Sequence, residues 1–459
     1  MSEQLLIIGG SDAGISAALR VRELRPDMTV TLVVADAYPN FSICGLPFYL
    51  SGEVTHWRNL AHRTREDIEA EGIHLLLDHR AEAIDPEKRT ATVTGPDGER
   101  RELAWDQFLI GTGAVSVRPE IDGLDRDGVF FLRWMDDSFA VKRFLEDRKP
   151  KSAVIVGAGY IGMEMADALT FRGIRTTVVE YGPRVLPTLD PELSGIIRKT
   201  LKDHGVQVAT GVAVERIEES GGRLVVHGPD GFSAEGQLVL VATGGRPETA
   251  LAVSAGAEIG VRGAIHVNRR METGVPGIYA AGDCVETWHR LLEKPVYLPL
   301  GTTAHKQGRV AGENVAGGTA EFAGSLGTQS VKLFDKVAAR TGLRDDEARA
   351  EGFDPLSVDF ESWDHKVYFP GAKSMVLRVT GDRNSGKLLG AQIVGAYGTE
   401  VSKRIDIFAA ALYHGMTAAE MSHLDLSYTP PLSSPWDPVQ MAAQAWEKAR
   451  REGGKNGTG

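Results

Sequence analysis

One cysteine, Cys44, is the residue of this chain whose type and setting point most directly to chemistry. It lies in the run Asn-Phe-Ser-Ile-Cys-Gly-Leu-Pro-Phe-Tyr at residues 40–49, after an apolar run and a glycine-rich turn. Tyr49 occupies the position five residues later, where a second sulfur would allow an internal redox disulfide. A lone thiol must instead cycle through a mixed disulfide with a small thiol, or through a sulfenic acid. The alternative interpretation is that Cys44 is an inert residue of the core.

A glycine-rich turn in the middle of the chain predicts a nucleotide site. The apolar run 153–156 leads into Gly-Ala-Gly-Tyr-Ile-Gly, and a helical stretch follows at 163–172. In this pattern the first glycine allows a tight turn, the second lets the backbone approach a pyrophosphate, and the third lets helix and strand pack closely. The residues assigned to this site are Gly157, Gly159, Tyr160, Ile161 and Gly162.

Glu180 bears on which nucleotide the turn prefers. It ends the next strand, 23 residues after Gly157, where its carboxylate can accept a hydrogen bond from an adenosine ribose. A 2′-phosphate at that place would be repelled, which favours NADH over NADPH. Arg184, four residues later, weakens this preference because a cation can hold a phosphate.

An earlier glycine-rich turn, at residues 9–14, departs from the ideal pattern. Ser11 stands where the middle glycine belongs, and the acid expected at the end of the next strand is displaced to Asp36. A plain strand–turn–helix without ligand is therefore the alternative here. The residues of this turn assigned to a second dinucleotide are Gly9, Ser11, Ala13 and Gly14.

Three further runs support a second dinucleotide. Residues 110–114 and 241–247 are strand-to-turn junctions that return the chain between nucleotide units. The run 278–284 places Asp283 after a buried strand, where its carboxylate can accept a hydrogen bond from a ribityl hydroxyl. The junction residues assigned to dinucleotide binding are Thr112, Gly113, Gly244 and Gly245.

The elements that must position these residues follow one order twice. Strand, glycine turn, helix and second strand recur, so a parallel, doubly wound α/β architecture is expected. Stretches at 90–93 and 223–227 are typical of antiparallel insertions into such units. From about residue 324 the pattern indicates a separate α+β domain. Its predicted elements are meander strands at 330–334, 358–362, 374–380 and 388–394, helices at 400–414 and 417–423, and a disordered tail at 453–459.

Composition excludes several functional classes. The net charge of −11 disfavours a nucleic-acid or membrane-surface partner. No apolar run reaches the roughly 18 residues of a membrane span, and no secretion signal is recognisable. With only Cys44 and Cys284, and the latter expected to pack in the core, the sequence favours a reducing, cytoplasmic setting. No histidine spacing is typical of a metal site, so no metal is expected.

In their order along the chain these motifs resemble the two-dinucleotide-binding flavoproteins of the pyridine nucleotide–disulfide oxidoreductase superfamily, over nearly the full length. The resemblance implies two doubly wound Rossmann-like domains plus a C-terminal α+β dimerisation domain. It implies FAD at residues 1–118 and 246–323, NADH (with NADPH less favoured) at 119–245, and a homodimer formed through 324–459.

Cys44 without a second sulfur resembles the single-cysteine branch, which contains coenzyme A-disulfide reductases, NADH oxidases and NADH peroxidases. Oxidases and peroxidases carry a histidine in the first turn, and the matching residue here is Asp12, which favours the reductases. In the reductases that the chain resembles, tyrosines of the partner subunit lie near the substrate sulfur, and Tyr428 and Tyr368 match them. The alternative for both is an aromatic side chain packed in a proline-rich turn.

An arginine that such reductases place against coenzyme A phosphates matches Arg22, with Arg20 beside it and His305 and Lys306 as weaker additions. Exposed helix arginines are the alternative. The resemblance thus implies an FAD-dependent enzyme that reduces a low-molecular-weight disulfide, such as coenzyme A disulfide, through Cys44. An NADH oxidase or peroxidase, a persulfide or polysulfide reductase, and a redox-sensing flavin-binding protein with little turnover remain alternatives.

Overall fold

The computed structural model describes residues 2–455. Its first strand reads Gln-Leu-Leu-Ile-Ile with four of five residues buried, as a central strand of a parallel sheet requires. The elements of the first segment are β1 (Gln4–Ile8), α1 (Asp12–Leu24), β2 (Thr29–Val33), α2 (Leu46–Ser51), α3 (Arg65–Ala70), β3 (Ile73–Leu76), β4 (Arg80–Asp85), β5 (Thr90–Thr94), β6 (Arg100–Ala104), β7 (Gln107–Ile110) and β8 (Ala114–Ser116).

The second segment builds a parallel sheet of its own around the central glycine turn. Its elements are β9 (Val129–Phe131), α4 (Met135–Asp147), β10 (Ser152–Val156), α5 (Tyr160–Phe171), β11 (Arg175–Glu180), α6 (Pro191–Asp203), β12 (Gln207–Thr210), β13 (Arg216–Ser220), β14 (Arg223–His227), β15 (Ser233–Gly236) and β16 (Leu238–Val241). The sheet order is β12-β11-β10-β16-β9, and all of its pairs are parallel. Strands β13–β15 form the antiparallel insertion that residues 223–227 predicted.

The chain then returns to the first sheet. The returning elements are β17 (Gly245–Pro247), α7 (Ala250–Ser254), β18 (Ile278–Ala280), β19 (Thr287–His289), β20 (Lys294–Val296) and α8 (Gly301–Val315). Strand β18 pairs with β7 and completes the parallel order β18-β7-β1-β2-β3, while β17 pairs antiparallel with β8. Short 3-10 turns lie at Ile43–Gly45, Trp57–Leu60, Pro229–Gly231 and Val261–Gly263.

The C-terminal segment is an antiparallel sheet covered by helices. Its elements are β21 (Gln329–Leu333), β22 (Lys336–Gly342), α9 (Asp345–Ala350), β23 (Pro355–Trp363), β24 (Ser374–Asp382), β25 (Leu388–Ala396), α10 (Val401–Tyr413), α11 (Ala418–Met421) and α12 (Pro438–Lys455). The order β21-β22-β25-β24-β23 is not the predicted simple meander, because the unpredicted β22 inserts between β21 and β25. The mixed α/β class, with two Rossmann-like units and a C-terminal α+β domain, is confirmed.

Helix α12 corrects the predicted tail. Its side chain Trp446 is fully buried, and the indole nitrogen donates to the carbonyl of Leu356 at 2.7 Å. Helix α12 continues to Lys455, so the disorder predicted for residues 453–455 is wrong. The remaining predicted residues, 456–459, lie outside the described part of the chain. None of the helices within residues 2–455 is long and apolar enough to cross a membrane.

Candidate active site

Both glycine turns and Cys44 open into one cleft. Its volume of about 1990 Å³ exceeds the roughly 300–1,000 Å³ of an ordinary small-molecule site, so it can hold more than one extended ligand. The cleft lies beyond the carboxyl ends of β1 and β10, where open α/β sheets bind ligands. All predicted cofactor residues line it except Gly14 and Gly162.

The central glycine turn has the geometry of a dinucleotide site. Gly157 has φ +108°, and a Cβ there would collide with the carbonyl oxygen of Ala242. A Cβ on Gly162 would collide with the Gly157 carbonyl, so this glycine packs α5 against β10. A Cβ on Gly159 would meet nothing within 4 Å, which leaves room there for a ligand. The Tyr160 hydroxyl lies 3.3 Å from the hydroxyl of Thr188.

Glu180 supports this turn as well as facing the cleft. Its two carboxylate oxygens accept hydrogen bonds from the backbone N–H of Ala158 and of Gly182, each at 2.6 Å. Arg184, the cation that weakened the nucleotide prediction, lies 3.9 Å from Asp346 of the C-terminal segment. The carboxylate is therefore fixed, and the nearby cation has an acidic neighbour of its own.

The first glycine turn also fits a ligand, despite Ser11. A Cβ on Gly14 would collide with the carbonyl of Gly9, so this glycine packs α1 against the strand as Gly162 packs α5. Asp36 lines the cleft, and its carboxylate accepts from the Tyr38 N–H at 2.8 Å. Burial raises the pKa of Asp36.

Asn40 is a cleft residue that the sequence did not single out. Its side chain is 1% exposed, and within residues 2–455 neither its amide nitrogen nor its amide oxygen has a hydrogen-bond partner. Buried amides are normally satisfied. Together with the glycine turn formed by Gly9 and Gly14, this unpaired amide fits a polar ligand such as a flavin dinucleotide.

Asp283 has a partner that no motif indicated. Its carboxylate lies 2.9 Å from a guanidinium nitrogen of Arg133, and burial raises the pKa of the aspartate against that opposing charge. Arg133 also donates to the carbonyl of Ala114 at 3.1 Å. Thr112 donates to the carbonyl of Glu248 at 2.5 Å and so ties the two strand-to-turn junctions together.

Cys44 is exposed to the cleft, at the 3-10 turn that leads into α2. Loss of hydration raises the pKa of its thiol, and neighbouring carboxylates act in the same direction. Tyr49 is buried, with the Lys142 ammonium 5.0 Å from its ring centre. Cys284 is fully buried, as expected of a packing residue, and burial raises its pKa to about 11. Cys44 is thus the accessible thiol of residues 2–455.

Asp12, the residue that the sequence matched to the oxidase histidine, is paired with a histidine from another helix. The His305 imidazole on α8 lies 3.2 Å from the Asp12 carboxylate, and its other nitrogen lies 2.9 Å from the Ser16 hydroxyl. The hydrogen bond to Asp12 raises the pKa of His305. Helix α8 therefore brings an imidazole to the start of α1, beside the cleft.

The two arginines assigned to a substrate phosphate are engaged elsewhere, and neither lines the cleft. Arg22 donates to the carbonyls of Glu71, Pro26 and Met28 at 2.8–2.9 Å. Arg20 is paired at 2.7 Å with two carboxylates, those of Glu23 and Glu313. Arg20 thus joins α1 to α8, and Arg22 joins α1 to the loops before β2 and β3, while their contact with a substrate phosphate stays a prediction.

Tyr368 and Tyr428 do not line the cleft that their own chain forms. Their side chains are 74% and 42% exposed on loops of the C-terminal segment. Loss of hydration and a hydrogen bond to the Tyr368 phenol raise the pKa of Tyr428. The structure therefore does not bring either phenol to the cleft that holds Cys44 of the same chain.

Comparison with known proteins agrees with this geometry. Residues 3–308 match the pyridine nucleotide-disulphide oxidoreductase family, and residues 328–438 match its dimerisation domain. A Pyrococcus furiosus protein named NAD(P)H sulfur oxidoreductase (CoA-dependent) is 35% identical over 448 residues, which cover 96% of this chain and 98% of that protein. A coenzyme A disulfide reductase of Staphylococcus haemolyticus is 29% identical, over 95% of this chain and 98% of that protein.

A solved structure of an NAD-dependent persulfide reductase from A. fulgidus superimposes with a TM-score of 0.94 at 36% identity, over 98% of this chain and 84% of that one. The fold and the cleft thus define an oxidoreductase built on two dinucleotide-binding units. The chain belongs to the pyridine nucleotide-disulphide oxidoreductase family, which depends on FAD and uses a pyridine nucleotide. The resemblance read from the sequence is confirmed.

Proposed function

We propose that this chain is a homodimeric, FAD-dependent enzyme that uses NADH to reduce a low-molecular-weight disulfide or persulfide through Cys44. The observation that carries the proposal is the accessible thiol of Cys44 in the cleft of both glycine turns, with buried Tyr49 where a second sulfur would lie. Coenzyme A disulfide is the favoured substrate. The proposed domains are 1–118 with 246–323 for FAD, 119–245 for NADH and 324–459 for dimerisation.

A cluster of cationic and imidazole groups beside the cleft supports a phosphate-bearing substrate. We name it the basic mouth and define it as His62, Arg63, His305 and Lys306. His62, His305 and Lys306 line the cleft. The positive charge of Arg63 acts on His305 and opposes the rise of its pKa. Such groups attract the phosphates of a coenzyme A thiol, whereas a small uncharged disulfide gains nothing from them. The basic mouth includes His305 and Lys306, which the sequence had added to the predicted phosphate patch of Arg20 and Arg22.

The chemistry divides between the cofactors and the chain. Bound FAD and NADH would supply hydride transfer and the two electrons that reduce the mixed disulfide. The Cys44 thiolate attacks one sulfur of the substrate, so that a new S–S bond forms and the old one breaks with release of a thiolate. Tyr428 and Tyr368, contributed by the partner subunit, would hydrogen-bond that departing sulfur. Two electrons and one proton then release the second thiol and restore the Cys44 thiolate.

Glu180 supports NADH as the reductant. Its carboxylate is fixed by two backbone N–H groups, and Arg184 is drawn toward Asp346, so a 2′-phosphate would meet a negative charge with little compensation. FAD would occupy the first turn, with Asp36, Asn40 and Asp283 as polar contacts.

Peroxide reduction through a Cys44 sulfenic acid is the second candidate. The observation that favours it is the imidazole of His305, which Asp12 holds beside the cleft although the first turn itself has no histidine. A protonated imidazole can assist departure of water or hydroxide from a peroxide.

NADH consumption decides between these proposals. It is to be measured in parallel with coenzyme A disulfide, a coenzyme A persulfide, oxygen and hydrogen peroxide, for the native enzyme, Cys44→Ser and Cys284→Ala. We expect turnover with the disulfide or persulfide to exceed that with oxygen or peroxide at least tenfold, to vanish in Cys44→Ser and to persist in Cys284→Ala. Fast turnover with peroxide and none with the sulfur substrates would establish the second candidate instead.

A further inference from the structure

Three polar side chains cross the C-terminal sheet in one row. Arg340 on β22 lies directly opposite Gln392 on β25, and Gln392 lies directly opposite Arg378 on β24. Residues opposite each other on antiparallel strands point to the same face of the sheet. We name these three residues the polar row. Gln392 is 2% exposed and Arg340 is 8% exposed, so their polar atoms need partners within the protein.

The partners of the polar row lie in the loop between β11 and α6 of the second segment. The Gln392 amide accepts from the Asp190 N–H at 2.7 Å and donates to the Asp190 carboxylate at 2.8 Å. Arg378 donates to the same carboxylate at 2.9 Å. Arg340 donates to the carbonyl of Thr188 at 3.0 Å. The C-terminal sheet therefore binds this loop at two places.

The same loop also contacts the central glycine turn. The Leu186 N–H donates to the carbonyl of Ala158 at 2.8 Å, and the Thr188 hydroxyl donates to the Tyr160 hydroxyl at 3.3 Å. Leu186 is fully buried and has φ +44°, a left-handed conformation that a leucine adopts only at a cost. The contacts on both sides of the loop must hold it in this conformation. Pro187 and Tyr160 line the cleft.

Arg340 reaches the glycine turn through a single residue, Thr188. The carbonyl of Thr188 accepts from Arg340, and its hydroxyl donates to Tyr160, so a shift of this residue changes both contacts. The guanidinium is itself fixed, because it also donates to the carbonyl of Gly342 at 2.5 Å and to the carboxylate of Glu347 at 2.8 Å. A planar group held at both ends has little freedom to turn.

We propose that Arg340 of the C-terminal segment is a positioning residue of the NADH site. It fixes Thr188, whose hydroxyl holds Tyr160 at the start of α5 before the nucleotide arrives. A side chain that is already ordered in the free enzyme loses less entropy when the ligand binds. The inference rests on the proposed binding of NADH at the central glycine turn. It makes the C-terminal sheet a part of the nucleotide site as well as the dimerisation domain.

Reduction of the flavin by NADH tests this role without any disulfide substrate. Anaerobic stopped-flow measurements on the holoenzyme give the Kd for NADH and the limiting rate of flavin reduction separately. Arg340→Met should raise the Kd about three- to tenfold, the effect of one lost hydrogen bond. The limiting rate should stay within about twofold of the native value, because the hydride donor and the flavin are unchanged. Arg340→Lys can still donate to Thr188 and should recover most of the affinity.

Three further variants complete the test. Thr188→Val removes the hydroxyl but keeps the backbone carbonyl, and it should also raise the Kd. The double variant of Arg340→Met and Thr188→Val should raise the Kd no further than the larger single change, because both act through Tyr160. Arg349→Met is the control. It breaks an exposed ion pair with Asp345 in the same segment and should match the native enzyme.

A native Kd in Arg340→Met, effects that multiply in the double variant, or an equal rise in Arg349→Met would overturn the positioning role. If Arg340→Met does not retain FAD, Thr188→Val decides, and a native Kd in that variant would overturn the role as well. Failure of the proposed function is distinguishable from these outcomes, since the flavin of the native holoenzyme would then not be reduced by NADH at all.

Discussion

The His305 imidazole lies 3.2 Å from the Asp12 carboxylate and joins α8 to the start of α1 at the edge of the cleft. The sequence matches Asp12 to the histidine expected in oxidases and peroxidases, and the structure places an imidazole from a different helix beside it. The carboxylate also favours the protonated imidazole, because the hydrogen bond raises the pKa of His305.

The first prediction concerns pH and substrate binding. His305 has a raised pKa in the folded protein, so its positive charge is present at low pH and is lost as pH rises through that value. We expect the KM for coenzyme A disulfide to be about two- to fivefold lower at pH 6.5 than at pH 8.5. A change of this size is what one partly screened contact between His305 and a phosphate would produce. His305→Asn should abolish this dependence. An uncharged aromatic disulfide serves as the control substrate, and an equal pH effect on its KM would contradict the role of the imidazole.

The second prediction concerns the number of reducing equivalents. The native subunit should take up two electron pairs in an anaerobic dithionite titration, one for the flavin and one for oxidised Cys44. Cys44→Ser should take up one pair and keep its FAD, because Cys44 lies in the 3-10 turn before α2 and not in either glycine turn. Two pairs in the variant would show that another group is the acceptor.

The third prediction concerns nucleotide choice. Repulsion of a 2′-phosphate by Glu180 needs to supply only ~1.4 kcal/mol for a tenfold preference, so we expect kcat/KM for NADH to exceed that for NADPH at least roughly tenfold. Glu180→Gln keeps an oxygen that can accept one backbone hydrogen bond and should reduce the ratio by about threefold or more. Arg184→Met is the matched variant, and it should leave the ratio at or above the native value.

The fourth prediction concerns the phenols. Tyr428→Phe should lower disulfide turnover by about 10²-fold, the lower range for loss of a positioned proton donor, while flavin reduction by NADH stays intact. Tyr368→Phe should act in the same direction. Tyr397→Phe removes the hydroxyl of another exposed tyrosine in the same segment and should have no effect. Native turnover in Tyr428→Phe would make this tyrosine a packing residue.

The sequence predicted best the parts of the chain whose structure depends on neighbouring residues. Around β1 and β10, apolar runs, glycine turns and following helices are local signals, and both units formed as expected. Helix α12 was missed because Trp446 stabilises it through a contact with Leu356, 90 residues earlier. The same limit applies to Arg22, since its carbonyl partner at Glu71 becomes a neighbour only after the first sheet has formed.

The fifth prediction follows from a contact of that long-range kind. The Lys332 ammonium of β21 lies 3.0 Å from Asp167 on α5 and 3.5 Å from Glu53, just beyond α2. Lys332→Met leaves the buried Asp167 with one hydrogen bond and should destabilise the holoenzyme by about 1–3 kcal/mol, seen as a lower Tm. Lys199→Met breaks an exposed pair with Asp203 and should cost under about 0.5 kcal/mol. Equal Tm values for the two variants would show that the Lys332 contact is weak.

Buried Tyr49 has a consequence for the oxidised protein at rest. Tyr49 stands where a second sulfur would lie, and Cys284 is buried in the core. Oxidised Cys44 must therefore carry an atom or molecule taken from its surroundings. The intact mass of each subunit would then exceed the sequence mass by that adduct and return to it after reduction. We therefore expect the mass of a preparation isolated without added thiols to identify the small thiol or oxidant that reacted with Cys44.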